Sequence, residues 1–281
     1  MEKKTFTHVA YALGIAMAII PSAALKAQTT FKLAIGGQTV TTQNANDIKG
    51  EFLKGGKITY DKASHTLTLN NAIIDTYTMA DDNLKGIESG LPNLTIKLIG
   101  KNKIHTYYAS GIYNNSKCTM TIVGDTLNVE TAQQSAIFSS EESLLKIIDC
   151  AITAKGLWGI GGITGLKDEK LYVENATVSA FGRYASVSSF ASVEMKNCKI
   201  VAPTQAVWNT DYHAVCEGKK IVANKEVKIA PEGTNGIKPT YNNSNTKEHI
   251  YNINGQKQNV LHHGLNIVKT SYGKVKKIIV R

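Results

Sequence analysis

The chain has 281 residues, with 32 basic and 22 acidic side chains and a formal net charge of +10. The basic charge is dispersed, and Arg occurs only at 183 and 281. That argues against dedicated phosphate or nucleic-acid recognition, and no nucleic-acid partner is expected.

The first residues are Met1–Glu2–Lys3–Lys4, followed by an apolar run from about Val9 to Ile20 and small residues at Ser22, Ala23, Ala24 and Ala27. This is the pattern of a secretory signal peptide over residues 1–27. The run is shorter than the ~20 residues a membrane-spanning helix needs, and no later segment is apolar enough to cross, so no transmembrane segment is expected. Without residues 1–27 the chain keeps 29 basic and 21 acidic side chains, net +8. The expected location is outside the cytoplasm: secreted, or at the cell surface or periplasm.

Residues 28–60 contain Phe31–Ile35, Gly36–Gly37, Thr39–Val40 and Ile58–Thr59–Tyr60. They read as hairpin-like strands forming an N-terminal β cap, because a repeat array needs its apolar end covered.

Residues 61–230 carry a phrase used six times: apolar, x, apolar, x, turn residue, small residue, x, apolar. Leu171–Tyr172–Val173–Glu174–Asn175–Ala176–Thr177–Val178 is the template. The turn positions fall at Asn71, Gly100, Gly124, Asp149, Asn175 and Asn197, with one residue inserted after Gly100. A second phrase recurs at Gly86–Ile87, Gly111–Ile112, Ala136–Ile137, Gly159–Ile160 and Ala206–Val207. Alternation of apolar and polar residues predicts half-buried strands. Asn, Asp and Gly turn the chain because they accept left-handed backbone angles. Two short strands per repeat of ~20–30 residues predict a solenoid. The expected fold is all-β: a right-handed parallel β-helix of about six coils, ~4.8 Å apart, with the N-terminal cap and a small C-terminal β module.

Residues 231–246 are rich in Pro, Gly and Asn and read as a linker. Residues 247–281 read as a compact tail of three short strands.

Cys150 and Cys198 share one repeat position, with a coil carrying Ala176 between them. The predicted separation is ~10 Å, beyond disulfide reach, so they read as small buried residues. No Cys/His spacing points to zinc. Gly156–Gly162 is glycine-rich but lacks the dinucleotide-binding pattern, with Thr at 164.

If the apolar residue of the Gly–Ile phrase points inward, its successor points outward. Tyr113, Phe138 and Trp208 are then outward, with Trp158, Tyr107 and Tyr108 nearby. Aligned rings would form a platform for stacking on sugar faces. These six are the candidate ligand-binding residues; no catalytic or metal-binding residue is assigned. The acids Asp81–Asp82, Glu141–Glu142 and Asp168–Glu169 are scattered, whereas a calcium-dependent lyase or a glycoside hydrolase needs converging carboxylates. No cofactor is expected; calcium is the one ion kept open.

The stretches FKLAIGGQTVTTQNANDI, GGKITYDKASHTLTLNNAII, GIESGLPNLTIKLIGKNKI and GIYNNSKCTMTIVGDTLNVE together resemble secreted β-helix proteins of Bacteroidetes and other gut bacteria, many of them labelled carbohydrate-binding domain-containing. The resemblance covers about residues 31–210 and implies polysaccharide binding on a pectate-lyase-like scaffold. The tail, YNINGQ through GLNIV to GKVKKIIVR, resembles a short form of the type IX secretion sorting domain, which implies the outer-membrane secretion machinery as a partner. Non-catalytic glycan binding is the expected function. A polysaccharide lyase or hydrolase, and a surface scaffold or adhesin with a protein partner, are the alternatives.

Overall fold

A computed structural model describes residues 28–79, 81, 83–231, 249–252, 254–269 and 275–280. The segment read as a signal peptide, 1–27, and residues 232–246 of the segment read as a linker lie outside the described residues. The described residues fold as an all-β, right-handed parallel β-helix of about five turns.

The chain enters through β1 (Thr30–Ile35), β2 (Gln38–Thr41) and β3 (Leu53–Asp61). The winding then runs through β4 (Thr66–Asp75), β5 (Ile87–Ser89), β6 (Asn93–Thr106), β7 (Ile112–Asn114), β8 (Thr119–Thr131), β9 (Ser135–Ser139), β10 (Leu144–Ile148), β11 (Ala151–Gly161), β12 (Lys170–Glu174), β13 (Thr177–Ser188), β14 (Ser192–Lys196) and β15 (Cys198–Ala202). Four antiparallel strands follow: β16 (Ala206–Asn209), β17 (Ala214–Glu217), β18 (Lys220–Ile221) and β19 (Lys225–Pro231).

Each coil has three faces. On the first, the leading parts of β4, β6 and β8 stack in parallel, followed by β10, β12 and β14. In-register columns such as Leu67, Ile96, Ile122, Ile147, Val173 and Met195 point inward. The second face stacks the trailing parts of β4, β6 and β8 with the leading parts of β11 and β13. The third joins β5, β7, β9 and the ends of β11 and β13.

The repeated phrase accounts for the corner between the first two faces. All six turn residues hold positive φ: Asn71, Gly100, Gly124, Asp149, Asn175 and Asn197. The small residues after them, Ala72, Cys150, Ala176 and Cys198, are buried inside the bend. Ala176 does lie between the two cysteines: its backbone N–H donates to Cys198 Sγ at 3.3 Å. Burial pushes the Cys150 thiol up to about 12. The apolar interior from Ile35 to Ile229 forms one continuous cluster. Each fully buried Leu or Ile contributes roughly 1.5–3 kcal/mol.

The glycine of the second phrase also has a physical cause. A Cβ on Gly111 would stand 2.2 Å from Val129 Cγ1 and 2.9 Å from the Ala136 carbonyl oxygen, so the coil closes there only with glycine.

Three expectations change. The sixth phrase does not close a sixth coil: β19 inserts antiparallel between β13 and β15, with Ile229 opposite both Val178 and Ile200. Ala206–Val207 does not stack on Ile160. Val187 of β13 takes that place, and Val207 lies on the antiparallel β16–β17 pair, 58% exposed. Among the described residues the tail has four strands rather than three: β20 (His249–Tyr251), β21 (Lys257–Gln258), β22 (Gly264–Lys269) and β23 (Val275–Val280), in the order β21-β20-β22-β23.

Candidate glycan-binding surface

The structure sorts the sequence-predicted rings into separate places. Tyr113 and Phe138 occupy one outward column of the third face, which reads Glu88, Tyr113, Phe138, Gly161, Ser188. Their ring centroids are 4.9 Å apart with planes 31° from parallel. Lys85 holds its ammonium 4.9 Å from the Tyr113 centroid and pairs with Glu88 at 3.0 Å. Gly161 and Ser188 end the row, so the flat pair is limited to two coils. Beside it lies a shallow cleft of about 520 Å³ lined by Lys32, Glu88, Asn115 and Ser116 among others.

Tyr107, Tyr108 and Trp158 belong instead to the corner between the second and third faces. There each of five consecutive coils presents an aromatic or amide side chain. The first coil contributes Tyr77, the second Tyr107 and Tyr108, the third Gln133 and Gln134, the fourth Trp158 and the fifth Tyr184. Tyr77, Tyr108 and Tyr184 are 38%, 44% and 54% exposed. Tyr77 meets Tyr107 edge-on at 4.9 Å, and Tyr107 meets Tyr108 edge-on at 4.3 Å. Trp158 and Tyr184 approach at 5.1 Å, tilted by 55°. Local backbone sets these positions. The pairing of β11 with β13 slips between Gly156 and Trp158, where Gly182 faces Gly156 and Ala185 faces Trp158. The extra length in β13 pushes Tyr184 out of the ladder.

A polar column on the second face runs alongside this ridge: Asp75, His105, Glu130 and Lys155, in register on four coils. The His105 ring stacks on Tyr77 at 4.4 Å, within 12° of parallel, and its Nδ1 lies 3.5 Å from Asp75 Oδ1. Lys155 Nζ donates to Glu130 Oε1 at 2.9 Å. This bond holds the Glu130 carboxyl below its ordinary value against partial burial, with the charges of Lys155, His105 and Lys103 adding to it. The corner therefore offers ring faces, amides, a carboxylate and an ammonium side by side, the groups that stack on and hydrogen-bond to a polyhydroxylated ring.

Trp208 is a correction. It does not join either group. β16 lies outside the stacked coils, and its alternation is offset from the phrase by one residue: Ala206 is buried and Val207 exposed, while Trp208 packs partly against the core. Its indole Nε1 is buried without a hydrogen-bond partner.

The acids singled out in the sequence do not converge. Glu141 lies 3.8 Å from Lys167, Glu142 3.5 Å from Lys117 and Asp168 3.0 Å from Lys170. Glu169 is fully buried, accepting backbone N–H groups of its own loop. Asp82 lies outside the described residues. Among the described residues no group of three or more His, Cys, Asp or Glu side chains is placed to hold a metal ion.

Tyr77, Tyr184, His105 and the two glutamines were missed from sequence. They sit just outside both repeated phrases, in corner segments of unequal length. For Tyr77 and the two glutamines, the signal that could have found them is their place before a second phrase; Tyr184 has no such phrase after it.

No protein-family model, curated protein or solved structure matches this chain. Among the described residues no helix is long and apolar enough to cross a membrane.

Proposed function

We propose that this is an exported, non-catalytic glycan-binding protein of the secreted Bacteroidetes β-helix type, and that a polysaccharide lies lengthwise along the corner between the second and third faces. The observation that supports this reading is the ridge itself: an aromatic or amide side chain on each of five successive coils. Rings flank a central pair of amides along an axis whose step is one coil, ~4.8 Å. A linear sugar polymer can use such a surface repeatedly, stacking on Tyr77, Tyr108, Trp158 and Tyr184 and hydrogen-bonding to Gln133, Gln134 and the Glu130–Lys155 pair. The Tyr113–Phe138 pair and the cleft beside Glu88 form a second contact on the third face.

The test is a glycan array probed with the full chain, with calcium and with chelator, while released sugars are assayed. Binding without release is expected, weakened at least about tenfold in Tyr108→Ala/Trp158→Ala, as for loss of central anchoring rings. A Trp208→Phe variant should bind normally. Sugar release, in particular release that needs calcium, overturns the reading in favour of a lyase or hydrolase. Failure to bind any glycan overturns it in favour of a scaffold with a protein partner.

A further inference from the structure

The two ends of the solenoid are finished differently. At the N-terminal end β3 runs antiparallel along β4 and covers the first two faces, while β1 runs antiparallel along β5 and covers the third. At the C-terminal end β17 touches the third face at Ser188, and β19 extends the second. On the first face β14 pairs with β12, and among the described residues nothing pairs with its other edge.

The side chains report the same gap. Leu171 and Val173 on β12 are 1% and 0% exposed. Val193 and Met195, which continue the same columns one coil later, are only partly buried, as is Ile200 on β15. A free strand edge above half-covered apolar side chains is a template for another strand. The Lys196 carbonyl accepts from the Asn175 N–H at 3.2 Å, toward β12. By alternation, the backbone groups of Val193 and Met195 face the free edge.

We propose that a second copy of this chain covers that edge, β14 pairing antiparallel with β14 about a two-fold axis normal to the first face. Only registers that keep Val193 and Met195 on the core side join the two interiors. Among these, placing Glu194 on the axis sets two carboxylates against each other. Placing Met195 on the axis instead sets Glu194 of each copy opposite Lys196 of the other, twice over. Lys196 already pairs with Glu174 at 3.0 Å, so it then bridges two carboxylates. The charge pattern of Ser192–Val193–Glu194–Met195–Lys196 selects this register, because like charges directly opposite are disfavoured and opposite charges favoured.

Sedimentation equilibrium of the full chain tests it. A concentration-dependent dimer is expected. Glu194→Lys and Lys196→Glu should each weaken it at least about tenfold, since each places two like-charged pairs across the axis. Glu194→Lys/Lys196→Glu restores opposite charges and should restore the dimer, which also controls for misfolding. A monomer at all concentrations, or a dimer indifferent to the single reversals, overturns the proposal. So does a full chain that is monomeric and dimerises only when residues 249–281 are removed, because the chain's own tail is then the occupant.

Discussion

The side-chain amide of Asn197 donates to the side-chain carbonyl of Asn175 at 3.1 Å, one coil away along the turn column. Both residues hold left-handed backbone angles, φ 55° and 48°. The Asn175 N–H in turn donates to the Lys196 carbonyl at 3.2 Å. One residue type thus serves two needs: it tolerates the bend and it links adjacent bends. Asn175→Ala should cost about 1–2 kcal/mol for the left-handed conformation, and Asn175→Gly about half as much. Urea unfolding of the two variants checks the ranking.

The residue inserted after Gly100 places Asn102 in an inward column that the later coils fill with Leu127, Ile152 and Val178. It is 3% exposed, and its Oδ1 accepts the Ala72 N–H at 2.8 Å while its Nδ2 donates to the Thr126 carbonyl at 3.3 Å. Asn102 therefore ties the first coil to the third. Asn102→Ala leaves the Ala72 N–H unpaired in the interior, at a cost of ~1–3 kcal/mol. Loss of amide-exchange protection at Ala72, before the rest of the solenoid opens, is the expected signature.

Glu169 organises the loop between β11 and β12. Its Oε1 accepts the Thr164 and Gly165 N–H groups at 3.0 and 3.4 Å, and its Oε2 accepts that of Lys167 at 3.0 Å. Glu169→Ala strands these donors around a cavity and should destabilise by ~3 kcal/mol. Glu169→Gln keeps one acceptor oxygen and should lose less. Limited proteolysis should cut the Ala variant first between residues 162 and 169.

Glu130 carries a pH signature. Its folded carboxyl lies below the ordinary value, chiefly through Lys155. The stabilisation from this pair is present above the unfolded-state pKa and is lost as pH falls through the depressed folded value. Lys155→Met should let the Glu130 carboxyl titrate nearer its ordinary pH, read by NMR of its Cδ. An unmoved titration would show that the pair does not form in solution.

Much of the fold was legible because its causes are local. Period-two alternation in Leu171–Val173 makes a strand with one buried side. Asn, Asp or Gly at the following position makes the bend, wherever the rest of the chain lies. Repetition then forces stacking, since one coil cannot bury its own apolar side. The winding, the turn column and the burial of Cys150 and Cys198 follow from those facts alone.

What the tertiary structure decided is register and closure. Trp208 obeys the same local phrase as Tyr113 and Phe138, yet it lies on the β16–β17 hairpin outside the stacked coils, where Ala206 rather than Val207 turns inward. Tyr77 and Tyr184 obey no phrase and still join the ridge, because corner segments of different lengths return to one edge of the solenoid. The sixth copy, Val193 to Ile200, reads like the others. Whether it closes a coil depends on β19, about 30 residues later in sequence, slipping between β13 and β15. Such long-range pairings are set by competition between whole strands for one edge, and no local pattern of side chains records the winner.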